Sequence, residues 1–203
     1  DLAERLGIRY LTIPIEPAHA AMLEMLADAF EGADPGTAEE NLQARQRGNV
    51  LMTLSNYFEH SIVLTTGNKS EMATGYATLY GDMAGGFAVL KDIVKTLVYR
   101  LVIWRNGRSP VIPQRVIDRP PSAELKPDQK DQDSLPPYEV LDAVVERYIV
   151  GLGYDAEAVR RVVHLIRVNE YKRRQAPPGV RITPRSFGKD WRYPITSGFR
   201  PKA

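Results

Sequence analysis

Apolar residues fall along this chain in short blocks whose spacing switches between strand-like and helix-like. Residues 8–15, Ile-Arg-Tyr-Leu-Thr-Ile-Pro-Ile, form a β-favouring run between Gly7 and Glu16, which predicts a short buried strand. From Ala18 to Phe30 the apolar positions take helical spacing, and residues 31–36, rich in Gly, Asp and Pro, read as a turn. Thr37-Ala38-Glu39-Glu40 has the spelling of a capping box, with the Thr hydroxyl accepting an amide of the first turn while Glu40 reaches back. A long helix to about Phe58 is expected behind it. Ser61 to Thr65 is apolar without polar alternation, as in a central strand covered on both faces.

The order strand, helix, helix, strand predicts an α/β architecture, a parallel sheet flanked by helices. After Thr65 the chain turns, and Asn68-Lys69-Ser70-Glu71 can cap a further helix. Gly81 to Gly86 reads as a flexible loop, and Leu90 to Trp104 as a helix ended by Asn106-Gly107. Residues 110–137, rich in Pro, Asp, Lys and Gln, predict a long mobile loop. Helical spacing returns over Tyr138–Ile149 and Asp155–Tyr171, and residues 173–203 predict a basic extended tail packed on the body or on a partner. No internal repeat is present.

Composition narrows this picture. With 203 residues and 43% hydrophobic content, the chain suits one domain of ordinary size or a large part of one. It has no Cys, which excludes disulfides, thiolate nucleophiles and iron–sulfur clusters and fits a cytoplasmic location. No run approaches the roughly 18 to 20 apolar residues of a membrane span, and Asp1-Leu2-Ala3-Glu4 does not open a signal peptide. The first residue is not Met and lies in an apparent helix, so further residues are expected upstream. The net charge of +2 hides an asymmetry: from Arg160 to Ala203 there are twelve Lys or Arg against two acids. Such a tail suits a solvated surface, nucleic-acid phosphates, a phosphate-rich small ligand or an acidic face of a partner subunit. His19, His60 and His164 show no ligand spacing and are expected to be structural.

The densest chemistry lies at Thr65-Thr66-Gly67-Asn68-Lys69-Ser70-Glu71, where a predicted strand ends and a helix begins. In open α/β sheets that is the ligand side, and free amides at the positive end of a helix favour an anion. Asn68 and Glu71 could equally be a capping pair, with Gly67 as the turn.

Read onward to Phe87, and with Leu90-Lys91-Asp92 and Lys95 to Tyr99, this segment resembles the signature of the glutamine-dependent NAD synthetases. Glu40 to Arg45, Pro121 to Leu125, Asp131 to Tyr138 and Asn169 to Gln175 fit the same pattern in the same order. The resemblance implies a Rossmann-like fold of the adenine nucleotide α-hydrolase type and an ATP-dependent ligase. Deamido-NAD would be adenylated by ATP with release of pyrophosphate, and ammonia drawn from glutamine would then displace AMP to give NAD. It implies ATP contacts at Thr66, Lys95 and Ser122, and a Mg²⁺ contact at Glu71. Deamido-NAD contacts are implied at Asn41, Arg45, Glu71, Tyr76, Ala77, Thr78, Leu79 and Lys172, and a homodimer or higher homo-oligomer is implied as well.

Alternatives are another ATP-pyrophosphatase-type ligase, such as the GMP or argininosuccinate synthetases, or a noncatalytic dimerisation or nucleic-acid-binding module. The block from Glu71 to Leu79 favours deamido-NAD, and binding to nucleic acid or membrane is not expected. The family's Ser-Gly-Gly-x-Asp-Ser phosphate loop and its first strand do not occur in these residues, nor does a glutaminase domain. The expectation is therefore the C-terminal part of a synthetase domain, inactive alone.

Overall fold

The computed structural model describes residues 1–32, 34, 36–147, 153–188 and 190–198. Strand β1 (Leu64–Thr65) runs parallel to β2 (Phe87–Ala88), with Leu64 opposite Phe87 and Thr65 opposite Ala88. Parallel strands need a crossover between them, and here it contains helix α4 (Lys69–Thr74) and the loop leading to Gly86. The other helices are α1 (Leu2–Leu6), α2 (Glu16–Phe30), α3 (Thr37–Tyr57), α5 (Lys95–Arg108), α6 (Gln114–Asp118), α7 (Tyr138–Arg147), α8 (Ala156–Val168) and α9 (Glu170–Arg174).

The core gathers around α4. Leu141, Val144 and Val145 of α7 meet Val159, Val162 and Ile166 of α8, with Ala73 of α4 and Val94 beside them. Each large aliphatic side chain buried this way contributes about 1.5–3 kcal/mol. Helix α3 is docked differently, with Ala44 and Gly48 its buried residues. A Cβ on Gly48 would stand 2.7 Å from the Tyr80 carbonyl oxygen, so the helix reaches the 78–84 loop because it carries no side chain there.

Several elements differ from the sequence expectation. Residues 8–15 form no strand, and Ile8, Tyr10, Leu11 and Ile13 are exposed. A strand exists through hydrogen bonds to a neighbour, and none of the described residues runs beside this segment as one. The cap of α3 begins one residue early: Gly36 is the N-cap, and its amide donates to the Glu39 carboxylate at 2.6 Å. Helix α5 starts at Lys95 rather than Leu90, and strand β2 follows a stretch that reads as loop. The helix expected over 155–171 is broken at Asn169, whose side-chain amide donates to the Thr74 carbonyl at 2.7 Å. Within 110–137 lie α6 and a 3-10 turn at Asp131–Asp133, anchored where the Asp131 amide donates to the Pro121 carbonyl at 3.0 Å. The expected helical residues 148–149 and the tail positions 189 and 199–203 lie outside the described residues.

The described part of the tail lies against the body. The Ala88 amide donates to the Pro178 carbonyl at 2.8 Å, beside β2. Trp191 is buried, edge-on to Phe187 and Tyr193 at ring separations of 5.4 and 6.2 Å. The deepest anchor is ionic. Lys69 and Asp92, both about 1% exposed, pair at 2.8 Å, and Asp92 also accepts the amides of Ile182 and Thr183 at 2.7 and 2.6 Å and the Thr183 hydroxyl at 2.8 Å. Lys69 donates to Thr183 Oγ1 and to the Arg185 carbonyl. Among the described residues, no helix is long and apolar enough to cross a membrane.

Burial works to raise the Asp92 pKa, but Lys69 and the donors of Ile182 and Thr183 outweigh it and hold the carboxyl below its ordinary 3.8. Stabilisation from a carboxylate lowered in this way is present above that value and lost as pH falls through the folded one. Leaving one partner of a buried pair alone costs about 3–5 kcal/mol. Asp92→Asn is therefore expected to lower unfolding free energy by an amount on this order at neutral pH. In urea titrations the gap between variant and wild type should close as pH drops into the acid range.

Candidate active site

Thr66 and Gly67 turn the chain from β1 into α4, and Asn68 caps that helix. The Asn68 side chain accepts the Glu71 amide at 3.0 Å, while the Glu71 carboxylate accepts the Asn68 amide at 3.0 Å. The capping pair is therefore real, and it leaves Glu71 Oε1 free to face α5. There Lys95 Nζ stands 3.2 Å away. The cap and the ligand readings are compatible, because the cap is what fixes the direction of the carboxylate. Lys95 also lies 5.5 Å from the centre of the Tyr138 ring, within range of a cation–π attraction.

Burial raises the Glu71 pKa, and the Lys95 charge and the Asn68 amide only partly oppose this. Asp142 is raised for the same first reason, burial, against hydrogen bonds from Ser70 and Thr96. Close by, the Tyr138 hydroxyl donates to Asp131 Oδ2 at 2.6 Å. Asp131 Oδ1 and the Tyr76 hydroxyl are both buried without a hydrogen-bond partner. Both tyrosine pKa values are raised, first by burial and then by Asp131. A wall of tightly packed acidic and phenolic groups thus stands behind the Glu71–Lys95 pair.

A second cluster surrounds residues 75–82. The Asn41 side-chain oxygen accepts the Thr78 hydroxyl at 2.8 Å, and Arg45 Nε donates to the Leu79 carbonyl at 3.3 Å. Lys172 Nζ donates to the carbonyls of Gly75 and Ala77 at 2.8 and 2.7 Å, and burial lowers its pKa against the pull of Asp82. The Thr78 amide donates to Asp82 Oδ1 at 2.7 Å. Asn41, Arg45, Tyr76, Ala77, Thr78, Leu79 and Lys172 are thereby brought to one loop, with Arg45 and Lys172 holding its carbonyls and Asn41 its Thr78 hydroxyl.

Ser122 stands apart from both clusters. Its hydroxyl accepts the Glu124 amide at 3.0 Å, on the rim of an open cleft lined also by Gln43, Arg119, Lys126 and Lys130. The side-chain oxygen of Gln43 is buried there without a partner.

Ser70, Asp82, Asp131, Tyr138 and Asp142 join the site without having been singled out as candidates. Ser70, Asp82, Asp131 and Tyr138 lie inside the matching sequence blocks, whereas Asp142 reads as one acid on an amphipathic helix. Among the described residues no three metal-ligating side chains converge. A divalent ion at Glu71 would take its other ligands from phosphates and water, which is how Mg²⁺ is commonly held.

A desolvated carboxylate and an ammonium beyond the carboxyl end of a parallel strand define an α/β domain suited to phosphorylated ligands. The NAD synthase family model matches residues 1–176, and the chain belongs to that family. It is 53% identical to the glutamine-dependent NAD(+) synthetase of Xanthomonas campestris pv. campestris, covering 98% of this chain and 39% of that protein. Against the enzyme of the same description from Thermotoga maritima, identity is 54%, covering 98% of this chain and 36% of that one. The chain thus spans about two-fifths of the length of these relatives.

Solved structures agree. The glutamine-dependent NAD+ synthetase from Acinetobacter baumannii in complex with ADP is 45% identical with a TM-score of 0.57, covering all of this chain and 38% of that one. The NMN synthetase from Francisella tularensis is 27% identical with a TM-score of 0.69, covering 90% of this chain and 69% of that one.

The raised Glu71 pKa sets a pH dependence. A folded state that holds the proton more tightly than the unfolded chain is favoured below the unfolded value, and that advantage is lost as pH rises through the folded one. Thermal melts should show wild type at its most stable relative to Glu71→Gln below the ordinary glutamate value of 4.5, losing ground as pH rises. A difference that stays flat with pH would show that Glu71 is not desolvated.

Proposed function

We propose that the chain forms the carboxyl-terminal part of a glutamine-dependent NAD synthetase and supplies one wall of its amide-forming site. The observation that carries this reading is the Glu71–Lys95 pair, a half-buried carboxylate and an ammonium 3.2 Å apart where β1 gives way to α4. Similarity to synthetases over 98% of the chain supports the choice of reaction. In that reaction the carboxylate of deamido-NAD attacks the α-phosphate of ATP and pyrophosphate leaves. Ammonia then attacks the acyl carbon of the adenylate, losing a proton, and the bond from that carbon to the phosphate oxygen breaks, so that AMP leaves with the oxygen and its electron pair.

Each side chain contributes by charge and position. Lys95 offsets the negative charge of the ATP phosphates, a stabilisation that strengthens away from water. Thr66 lies beside β1 and presents its hydroxyl to the nucleotide, and Ser122 offers another from the 119–130 cleft. Glu71 would hold Mg²⁺, which would neutralise phosphate charge there. Tyr76, Ala77, Thr78 and Leu79 form the surface against which deamido-NAD lies. Asn41, Arg45 and Lys172 keep that surface in shape, and Arg45 and Lys172 add positive charge beside a dinucleotide that carries phosphates.

The same reading places the protein in the cytoplasm as a homo-oligomer. Leu51, Met52 and Phe58 at the far end of α3, and separately Leu101, Ile103 and Trp104 on α5, are exposed apolar residues suited to contact with a second subunit.

The test is NAD formation from ATP, deamido-NAD and ammonium, or glutamine, by the full-length protein. Glu71→Gln and Lys95→Ala are each expected to lower kcat by about 10²- to 10³-fold, the usual cost of removing one electrostatic contact to a transition state. Wild-type rates in both variants would refute the assignment. Salt-dependent binding of unrelated DNA, with no thermal protection by deamido-NAD, would favour a noncatalytic module.

A further inference from the structure

Helix α5 begins at Lys95 behind Val94, whose apolar side chain is buried in the core and offers no oxygen to the first turn. The first amides of a helix have no partner of their own. Here the partners come from other helices. The Lys95 amide donates to Ser70 Oγ at 2.9 Å, the Thr96 amide donates to Asp142 Oδ2 at 2.7 Å, and the Ser70 hydroxyl donates to Asp142 Oδ1. Ser70 is 0% and Asp142 3% exposed, so the cap is closed off from solvent. With three donors converging on two buried residues, small displacements cannot be repaired by water.

The consequence reaches the site through the chain. Ser70 immediately precedes Glu71 on α4, and Lys95 is the residue whose amide Ser70 accepts. The carboxylate on α7 therefore locks the start of α5 against the start of α4, and the two side chains that project from those starts are Lys95 and Glu71. Their 3.2 Å approach depends on the two helix ends being held together.

We propose that Asp142, acting through Ser70, is a positioning residue for the Glu71–Lys95 pair: a helix cap supplied from a third helix that sets where the ammonium stands. This rests on the reading of that pair as the phosphate-facing part of a NAD synthetase. Asp142 touches no substrate; it acts on the backbone that carries Lys95.

The test uses the full-length enzyme with ammonium as nitrogen source, and compares Asp142→Asn and Ser70→Ala with Glu71→Gln and Lys95→Ala. Asp142→Asn keeps the shape of the side chain but turns one acceptor into a donor. It is expected to lower kcat by about 10- to 100-fold, as removal of outer-shell partners commonly does, with the KM for deamido-NAD changed by less than about threefold. Hydrogen exchange at the Lys95 and Thr96 amides should quicken at least about tenfold while exchange in α8 stays slow. Because the two residues act as one unit, the double variant should lose little more than the worse single one.

If either variant loosens those amides yet keeps wild-type kcat, the positioning role is wrong even though Lys95→Ala and Glu71→Gln are impaired. Unchanged amide exchange would also overturn it. Should Asp142→Asn fail to fold, Ser70→Ala alone decides. If Glu71→Gln and Lys95→Ala are themselves fully active, the functional reading fails instead, and the exchange data still decide whether the cap exists.

Discussion

The constraint on which this structure turns is the burial of a polar helix start. Five of the six residues of α4 are buried, and three of these, Lys69, Ser70 and Thr74, are polar or charged. Removing such groups from water is costly unless each finds a partner. Asp92 and Thr183 answer Lys69, Asp142 answers Ser70, and the Ser70 carbonyl accepts the Thr74 hydroxyl at 3.0 Å. The partners come from the turn after β2, from the tail and from α7. One short helix therefore recruits three distant stretches of chain to a common centre.

That recruitment explains how the tail is held. A basic, Pro-interrupted segment has little periodic apolar content with which to fold, and its order comes from being needed. Asp92 takes the amides of Ile182 and Thr183, Lys91 donates to the Pro177 carbonyl at 2.6 Å, and Trp191 fills the core beside Phe187. Arg173 is 5% exposed and lies over the rings of Phe187 and Tyr193 at 5.7 and 6.0 Å, bonded to the buried Glu170. A large part of the positive charge counted in the tail is thus tied to specific acids, carbonyls and rings. That weakens a general phosphate-binding role for the tail.

Much of this was legible in the sequence, and the failures share a cause. Helices α2, α7 and α8 follow from apolar spacing, α3 from the capping-box spelling at its start, and the Asn68–Glu71 cap from its own spelling, because those signals are local. The start of α5 was not legible, since the acceptors for its first amides sit on α4 and α7. Strand β2 was missed because only two residues pair, in a stretch whose glycines permit close passage rather than announce a strand. A Cβ on Gly85 would stand 2.6 Å from the Thr65 methyl carbon. The run at 8–15 erred in the opposite direction: its β-favouring residues form no strand, and propensity alone makes no sheet. Thr66, Glu71 and Lys95 were picked out through motif resemblance, whereas Asp142 has no local mark that separates it from a surface acid.

The same contrast divides the molecule energetically. Around α4, α7 and α8 the side chains reach full burial, whereas α1, α2 and α5 have no fully buried residue. Helices with few buried contacts rely on backbone cooperativity and the partial burial of one stripe, and they open before the rest. Lys95 sits at the boundary: its helix body is loosely held and its first turn is tied into the tight centre. On the proposed function, a cation that meets phosphate charge gains from such a place, because the polar cap fixes its backbone while the side chain keeps 19% of its surface open. Rigid anchoring of the main chain with an accessible head group is what electrostatic preorganisation requires. The buried polar start of α4 therefore serves stability and, on the proposed function, chemistry through the same few hydrogen bonds.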